Sequence, residues 1–284
     1  MTPELTAAYE SCMAVARSHY ENFPVASWLV QKHLRIHVAT IYTFARRADD
    51  LADEGTDSPE QKIAALKQMG DLLNNAVQGK PDDDFLYIAL ANTIDEYQLD
   101  PQLFHDLLDA FTQDVSKARY ENFDKVLDYC RRSANPVGRL MLQLFGEATE
   151  ENNRDSDLIC SALQLINFMQ DIQQDLTEND RIYFPQDEMQ AAGITDQDFR
   201  DRNTAPHVVA FVRQQTQRAQ QMMLDGASLG NRLKGRFGLE IRTIIQGGLA
   251  ICNALFAQGD DIYSRPRLTL TNKLSMLFKA FVKV

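Results

Sequence analysis

The chain has 284 residues, 44% of them hydrophobic and 24% charged, and its 29 lysines and arginines against 40 aspartates and glutamates leave a net charge of −11. That length allows one large domain or two small ones, and the apolar content fills a sizeable core and excludes a disordered chain. The acidic balance argues against a nucleic-acid binder, which needs a basic face against phosphates, but it leaves room for a phosphate-bearing ligand held through a divalent metal.

Hydrophobic periodicity predicts helix after helix: about 4–19, 32–54, 59–78, 84–97, 101–118, 122–150 with a break near Pro136, 153–177, 204–233, 238–262 and 268–282. No run of alternating β-branched residues bounded by turns suggests a strand. No Pro-, Gly- or Ser-rich linker interrupts the chain. The expectation is one all-α domain over residues 1–284 with a shared core.

Segment 32–54 is the most informative. Leu34, Val38, Ile41, Ala45, Ala48 and Ala52 step by 4,3,4,3,4, a helical core stripe. Beside it Tyr42, Arg46, Asp49 and Asp53 step by 4,3,4 and fall within about 60° of one another. Asp49, Asp50, Asp53 and Glu54 crowd the last turns of a helix that should end at Gly55. The helix dipole disfavours anions there by about 0.3–1 kcal/mol each, and like charges at i,i+4 add a few tenths. Sequences break such rules at functional sites, and a divalent cation would reverse the sign of the problem.

Segment 153–177 repeats the theme. Gln164, Asn167, Asp171 and Asp175 step by 3,4,4 on one face. If the following Arg181-Ile182-Tyr183-Phe184-Pro185 is extended, Arg181 and Tyr183 point the same way. One DxxxD is weak evidence; Asp124/Asp128 is another, and there Arg131 and Arg132 balance the charge. Two such helices facing each other would bring four carboxylates together across a bundle. That suits Mg²⁺, a hard ion that keeps waters and shares substrate phosphates.

Elsewhere the signals are plainer. His33 and His37 have ligand-like i,i+4 spacing, but no HExxH pattern accompanies them, and with Lys32 and Arg35 they read as a solvated helix start. Walker loops, GxSxG and GxGxxG are absent, which argues against a classical NAD(P) domain. Arg119, Arg131, Arg132 and Arg139 read as surface charges. Ser133-Ala134-Asn135-Pro136-Val137-Gly138 is either a helix junction or room for a long ligand beside the backbone. Residues 264–284 carry five basic side chains and no acid, with an apolar stripe through Leu274, Leu277, Phe278 and Phe281. This tail packs on the protein's own core or rests on an anionic membrane surface. Cys12, Cys130, Cys160 and Cys252 form no CxxC, which fits a reducing compartment. No signal peptide is visible, and no stretch approaches the ~20 apolar residues of a membrane span. The expected location is cytoplasmic, with peripheral contact on the inner membrane face through the tail as an extension.

Tyr42-x3-Arg46-x2-Asp49-Asp50-x2-Asp53 resembles the first aspartate-rich motif of the squalene/phytoene synthases. Gln164-x2-Asn167-x3-Asp171-x3-Asp175, followed by Arg181 and Tyr183, resembles the second, and Arg265-Pro266-Arg267 is similar to the family's C-terminal arginine segment. The resemblance implies an isoprenoid synthase fold, a single helical domain around a central cavity. It implies that Asp49, Asp53, Asp171 and Asp175 hold two or three Mg²⁺ on a prenyl diphosphate, supported by Gln164 and Asn167. Tyr42, Arg46, Arg181 and Arg265 would contact the diphosphate or complete a lid, with Tyr183 beside them. The segment from His19 to Ser27, together with Ser133–Gly138, resembles the hydroxysqualene synthase branch. That branch ionises presqualene diphosphate, opens its cyclopropane and captures the cation with water, without NADPH. Asn22 stands where many members carry serine, which argues against the first condensation step. Phe23 would face the cation or pack in the core, and Asn135 or Tyr20 would position the water. The family's condensing squalene and phytoene synthases, and a non-catalytic scaffold, are the competing readings; the intact aspartates count against the scaffold.

Overall fold

The computed structural model describes residues 1–18 and 29–266. The described residues form fourteen helices and no strand; a single parallel bridge joins Tyr120 to Pro185. The all-α expectation is met. The chain divides into two compact units, Met1–Ser116 with Pro136–Thr149, and Lys117–Asn135 with everything from Glu150.

The first unit holds α1 (Pro3–Ser18), α2 (Arg35–Asp53), α3 (Pro59–Val77), α4 (Phe85–Tyr97), α5 (Pro101–Asp114) and nearly all of α7 (Asn135–Leu144). Their starts follow local rules. Ser58 and Gln61 form a capping box ahead of Pro59, Asp84 accepts from the Leu86 N–H at 2.8 Å, and Asp100 accepts from the Gln102 N–H at 2.9 Å ahead of Pro101. α2 packs against α1, α3, α4 and α5. Its first half is therefore buried almost all round, through His37–Ile41, Thr43 and Phe44, whereas the second half buries only Ala48 and Ala52. That contrast frees one side of the C-terminal half for Tyr42, Arg46 and the acids.

His37 departs from the sequence reading. Only His33 is exposed; His37 is buried. The Tyr9 hydroxyl lies 3.2 Å from His37 Nδ1 and donates to Asn92 Oδ1 at 2.8 Å, while Thr93 Oγ1 lies 3.0 Å from the same ring nitrogen. The Tyr97 ring closes the other side at a centroid distance of 4.6 Å. Four-sided packing of α2 is the reason, and no pattern within one helix reveals it.

The second unit is built round α8 (Glu150–Gln170), which contacts α6 (Phe123–Ser133), α9 (Ile172–Asn179), α12 (Pro206–Asp225), α13 (Leu229–Arg232) and α14 (Gly235–Ala257). Two short helices, α10 (Gln186–Ala191) and α11 (Asp196–Arg200), fall where no helix was expected. The predicted helix over 153–177 breaks at Asp171, whose backbone sits at φ −112°, ψ 18°. The predicted helix over 204–233 stops at Gly226, where a Cβ would lie 2.6 Å from the Asp155 carbonyl oxygen, so the chain turns at a close approach that needs glycine. α14 departs from the expectation that no stretch is apolar enough to span a bilayer. It is 23 residues long, and an 18-residue window within it reaches a mean hydropathy of 1.2. It carries Arg236, Glu240 and Arg242, however, and packs on α8, α12 and α13. The helix predicted over 268–282, and with it the tail's membrane face, lies outside the described residues.

Burial lowers the His37 pKa, with Glu96 opposing and His33 adding. A depressed histidine pKa favours the neutral ring in the folded state, so stability is held above about pH 6.5 and lost as pH falls below it. The thermal midpoint of the wild-type protein should therefore drop between about pH 7 and pH 5, and His37→Gln should flatten that slope; parallel slopes by calorimetry would assign the acid sensitivity elsewhere.

Candidate active site

The first cluster sits on the last turns of α2. Tyr42, Arg46 and Asp49 are half-buried and Asp53 is exposed. The Arg46 guanidinium reaches Asp49 at 3.3 Å, Asp50 at 2.5 Å and Glu54 at 3.1 Å. One cation thus faces three carboxylates. Burial works against the charge on Arg46, but Asp50 and Asp49 outweigh it and hold its pKa above the ordinary value. Burial pushes the Tyr42 hydroxyl up, with Arg46 opposing. Neighbouring Arg47 serves the fold, pairing with Asp84 at 2.7 Å and lying 5.2 Å from the centre of the Phe85 ring.

The second cluster sits where α8 gives way to α9. Gln164, Asp171 and Asp175 are half-buried and Asn167 is exposed. Backbone hydrogen bonding runs on through the break: the Asp171 N–H donates to the Asn167 carbonyl at 2.9 Å, and the Asp175 N–H donates to the Asp171 carbonyl at 2.8 Å. Arg265 Nε lies 3.0 Å from the Asp171 carboxylate, so the C-terminal arginine does reach this cluster. Burial raises the Asp171 pKa, Arg265 opposes that, and Glu178 adds to it.

An aspartate within α8 behaves in the opposite way. Asp155 is only 1% exposed. It accepts from Arg154 at 3.0 Å, from the Ser228 hydroxyl at 2.5 Å and from Arg232 at 2.5 Å. Burial works to raise its pKa, but these donors outweigh it and hold the carboxyl below the usual range. Asp155 ties α8 to the α12–α13 turn, whereas Asp171 is desolvated with less compensation. A carboxylate left short of donors is available to a cation.

Residues 181–185 are buried throughout rather than alternating. The Arg181 N–H donates to the Asp175 carbonyl at 3.0 Å, and the Ile182 N–H donates to the Ala118 carbonyl at 3.0 Å. Arg119, expected as a surface charge, is a clamp: its guanidinium binds the Asp180 backbone carbonyl, the Asp180 carboxylate at 3.1 Å and Asp196 at 2.7 Å. It fixes the left-handed turn at Asp180 (φ 51°) that sends Arg181 inward. Tyr183 stacks on Phe168 with ring centroids 3.8 Å apart and 3° between planes, and on Tyr120 at 5.6 Å. Tyr129 joins the same group. Sequence reasoning missed Tyr120, Tyr129 and Phe168; the available signal was Phe168, lying between Gln164 and Asp171 on one face of α8. Arg131 and Arg132 pair with Asp128 at 2.9 Å each, as expected, but Arg132 is buried rather than a surface charge. Asn135 is buried and accepts from the Ser161 hydroxyl at 2.9 Å. Asn22 and Phe23 lie outside the described residues, as do Tyr20 and Arg267.

Among the described residues, no group of three or more His, Cys, Asp or Glu side chains is drawn together as a ready-made metal cage. The donor set nevertheless fits Mg²⁺. That ion takes carboxylate oxygens, commonly one or two from protein, and completes its shell with water and substrate phosphate. Within each unit the aspartate pair, Asp49 with Asp53 and Asp171 with Asp175, offers carboxylate oxygens of the kind that ion takes.

The helical architecture is that of the isoprenoid synthases. A dehydrosqualene synthase solved with a ligand superposes with a TM-score of 0.87 over 98% of this chain and 97% of its own, at 20% identity. The squalene synthase of Alicyclobacillus acidocaldarius superposes with a TM-score of 0.85 at 37% identity, over 91% and 97%. The sequence profile of the squalene/phytoene synthases matches residues 16–273, and the chain belongs to that family. It is an enzyme of that class. Similar relatives include the hydroxysqualene synthases of Sinorhizobium fredii, 34% identical over 79% of this chain and 76% of that protein, and of Rhodopseudomonas palustris, 36% identical over 79% and 75%. Phytoene synthase 3 of Zea mays is 32% identical over 98% and 66%.

Asp155 and Asp171 should respond oppositely to the same substitution. Asp155→Asn should destabilise the protein by about 3 kcal/mol, because it weakens a buried ion-pair network from one side. Asp171→Asn, without added metal, should stabilise it by about 1 kcal/mol at neutral pH by removing a desolvated charge. Denaturant unfolding of both variants checks this, and a destabilised Asp171→Asn would mean that its pairing with Arg265 outweighs its burial.

Proposed function

We propose that this enzyme converts presqualene diphosphate to hydroxysqualene in a Mg²⁺-dependent reaction without NADPH. Diphosphate is expelled, the cyclopropyl cation rearranges and water captures it. The observation that carries this reading is that two relatives named hydroxysqualene synthase cover about four fifths of the chain at 34% and 36% identity. The chain's own chemistry supports the same reaction type, because both aspartate motifs are intact and each has an arginine against it. Bound Mg²⁺ would neutralise the diphosphate and make it a better leaving group. Asp49, Asp53, Asp171 and Asp175 would hold the metal, with Gln164 and Asn167 beside them. Arg46 and Arg265, with Tyr42 and Arg181, would bind phosphate oxygens, so each of these arginines would exchange a carboxylate for the substrate. Tyr183, locked between rings, would keep the Arg181 segment in place. Phe23 would offer its face to the cation, an attraction worth about 0.5–2 kcal/mol, and Asn22 would line the substrate site. The two units would act as one catalytic domain in the cytoplasm, on a prenyl diphosphate and not on nucleic acid.

A second reading, a condensing squalene or phytoene synthase, is favoured by the squalene synthase at 37% identity and the plant phytoene synthase at 32%. Incubation with Mg²⁺ and either presqualene diphosphate or farnesyl diphosphate, without NADPH, separates the two by product mass. Hydroxysqualene from the first substrate and nothing from the second is expected. Turnover of farnesyl diphosphate would move the enzyme to the condensing branch. Asp49→Asn and Asp171→Asn should each lower turnover by about 100-fold or more, the usual scale for losing stabilisation of a developing charge; a loss below tenfold would remove that residue from the site.

A further inference from the structure

An alcohol product needs one water in a site that otherwise excludes water. A cation that meets none loses a proton and ends as an alkene. The polar groups able to hold that water are found at the break between α6 and α7. Asn135 and Ser161 are 6% and 5% exposed, and the Ser161 hydroxyl donates to Asn135 Oδ1 at 2.9 Å. With its oxygen engaged, Asn135 keeps its NH₂ as a donor. Two residues earlier, Ser133 Oγ is shielded from solvent and has no hydrogen-bond partner. A shielded hydroxyl without a partner is the usual companion of a bound water, which needs two or more polar contacts.

The place of Ser161 on α8 links this group to the substrate machinery. Ser161, Gln164 and Phe168 step by 3,4 and fall within about 60° of one another on α8, which gives way to α9 at Asp171. Ser161 lies ten residues from Asp171, about 15 Å along the axis. If the aspartates hold the diphosphate as proposed above, a water at that separation would meet the hydrocarbon.

We propose that Ser161 is a positioning residue that fixes the Asn135 amide, and that Asn135 and Ser133 together hold the water that turns the cation into an alcohol. The water would accept from the Asn135 NH₂ and donate to Ser133 Oγ, leaving a lone pair for the cation. The C–O bond forms with that pair, and the resulting oxonium sheds one proton to solvent water, which balances the charge of the diphosphate released. No oxidant or reductant enters. This inference rests on the hydroxysqualene reading above.

The test measures products from presqualene diphosphate with Mg²⁺, as alcohol formed per diphosphate released. Ser161→Ala should lower that ratio at least fivefold, with alkene making up the difference. Ser161→Thr keeps a hydroxyl and should restore most of it, which a purely structural role would not do. A wild-type ratio in Ser161→Ala overturns the proposal. If Ser161→Ala fails to fold, Ser133→Ala decides: a lowered ratio supports the station and an unchanged one overturns it. Wild-type enzyme that makes no alcohol at all would fail the functional reading itself, whereas alcohol from wild type with unchanged ratios in the variants removes only this assignment.

Discussion

Each unit places carboxylates at the C-terminal end of the one helix that the rest of the unit packs around. In the first unit this is α2, with Asp49, Asp50 and Asp53; in the second it is α8, with Asp171 directly after Gln170. The helix dipole opposes anions there, by about 0.3–1 kcal/mol each, and burial adds to the penalty. The central helix cannot be moved or shortened to relieve it, because four neighbours hold α2 and five hold α8. Relief comes from a guanidinium at each end, Arg46 in one unit and Arg265 in the other. Arginine suits the task because it stays charged and can bridge several oxygens at once.

The helices and the first motif were legible because their information is local. The stripe through Leu34, Val38, Ile41, Ala48 and Ala52 is buried as its period requires, and the caps at Ser58, Asp84 and Asp100 start their helices where side-chain oxygens can reach the first N–H groups. The misreadings share a different cause. His37 looked solvated beside Lys32 and Arg35, but α1 and α4 cover it with Tyr9, Thr93 and Tyr97. Arg119 looked like a surface charge, but its partners Asp180 and Asp196 lie far along the chain. Contacts between residues distant in sequence leave no periodic trace in either segment.

Asp155 and Asp171 show why residue type alone does not separate structure from function. Asp155 lies on α8 and Asp171 directly follows it, and both are poorly exposed. Asp155 has Arg154, Arg232 and a serine hydroxyl around it, enough donors to make the ionised form the stable one. Asp171 meets Arg265, whose own side chain is 57% exposed and so weakens the attraction by solvent screening. The fold tolerates one under-compensated carboxylate and secures the other. A site built from such groups gives up stability that a structural position would keep.

The backbone tells the same story at two places where a regular helix was expected. α8 yields to α9 at Asp171, and α6 yields to α7 at Ala134, so that Asn135 opens the next helix. Pro136 has no N–H to donate four residues back to the Arg132 carbonyl, so a continuous helix is interrupted just ahead of it. Asp171 has no such excuse, since the residues around it are good helix formers and the hydrogen bonds run on through the break. A departure from helical geometry that local sequence does not require must be held by something else. The Arg265 contact and the buried segment from Arg181 to Pro185, anchored by the Arg181 N–H on the Asp175 carbonyl, are the constraints the structure supplies on either side of it. Turned out of the regular spiral, Asp171 no longer has to share the direction its period would impose, and its carboxylate meets the C-terminal arginine instead. The break is thus a cost in regularity that sets the aim of one side chain.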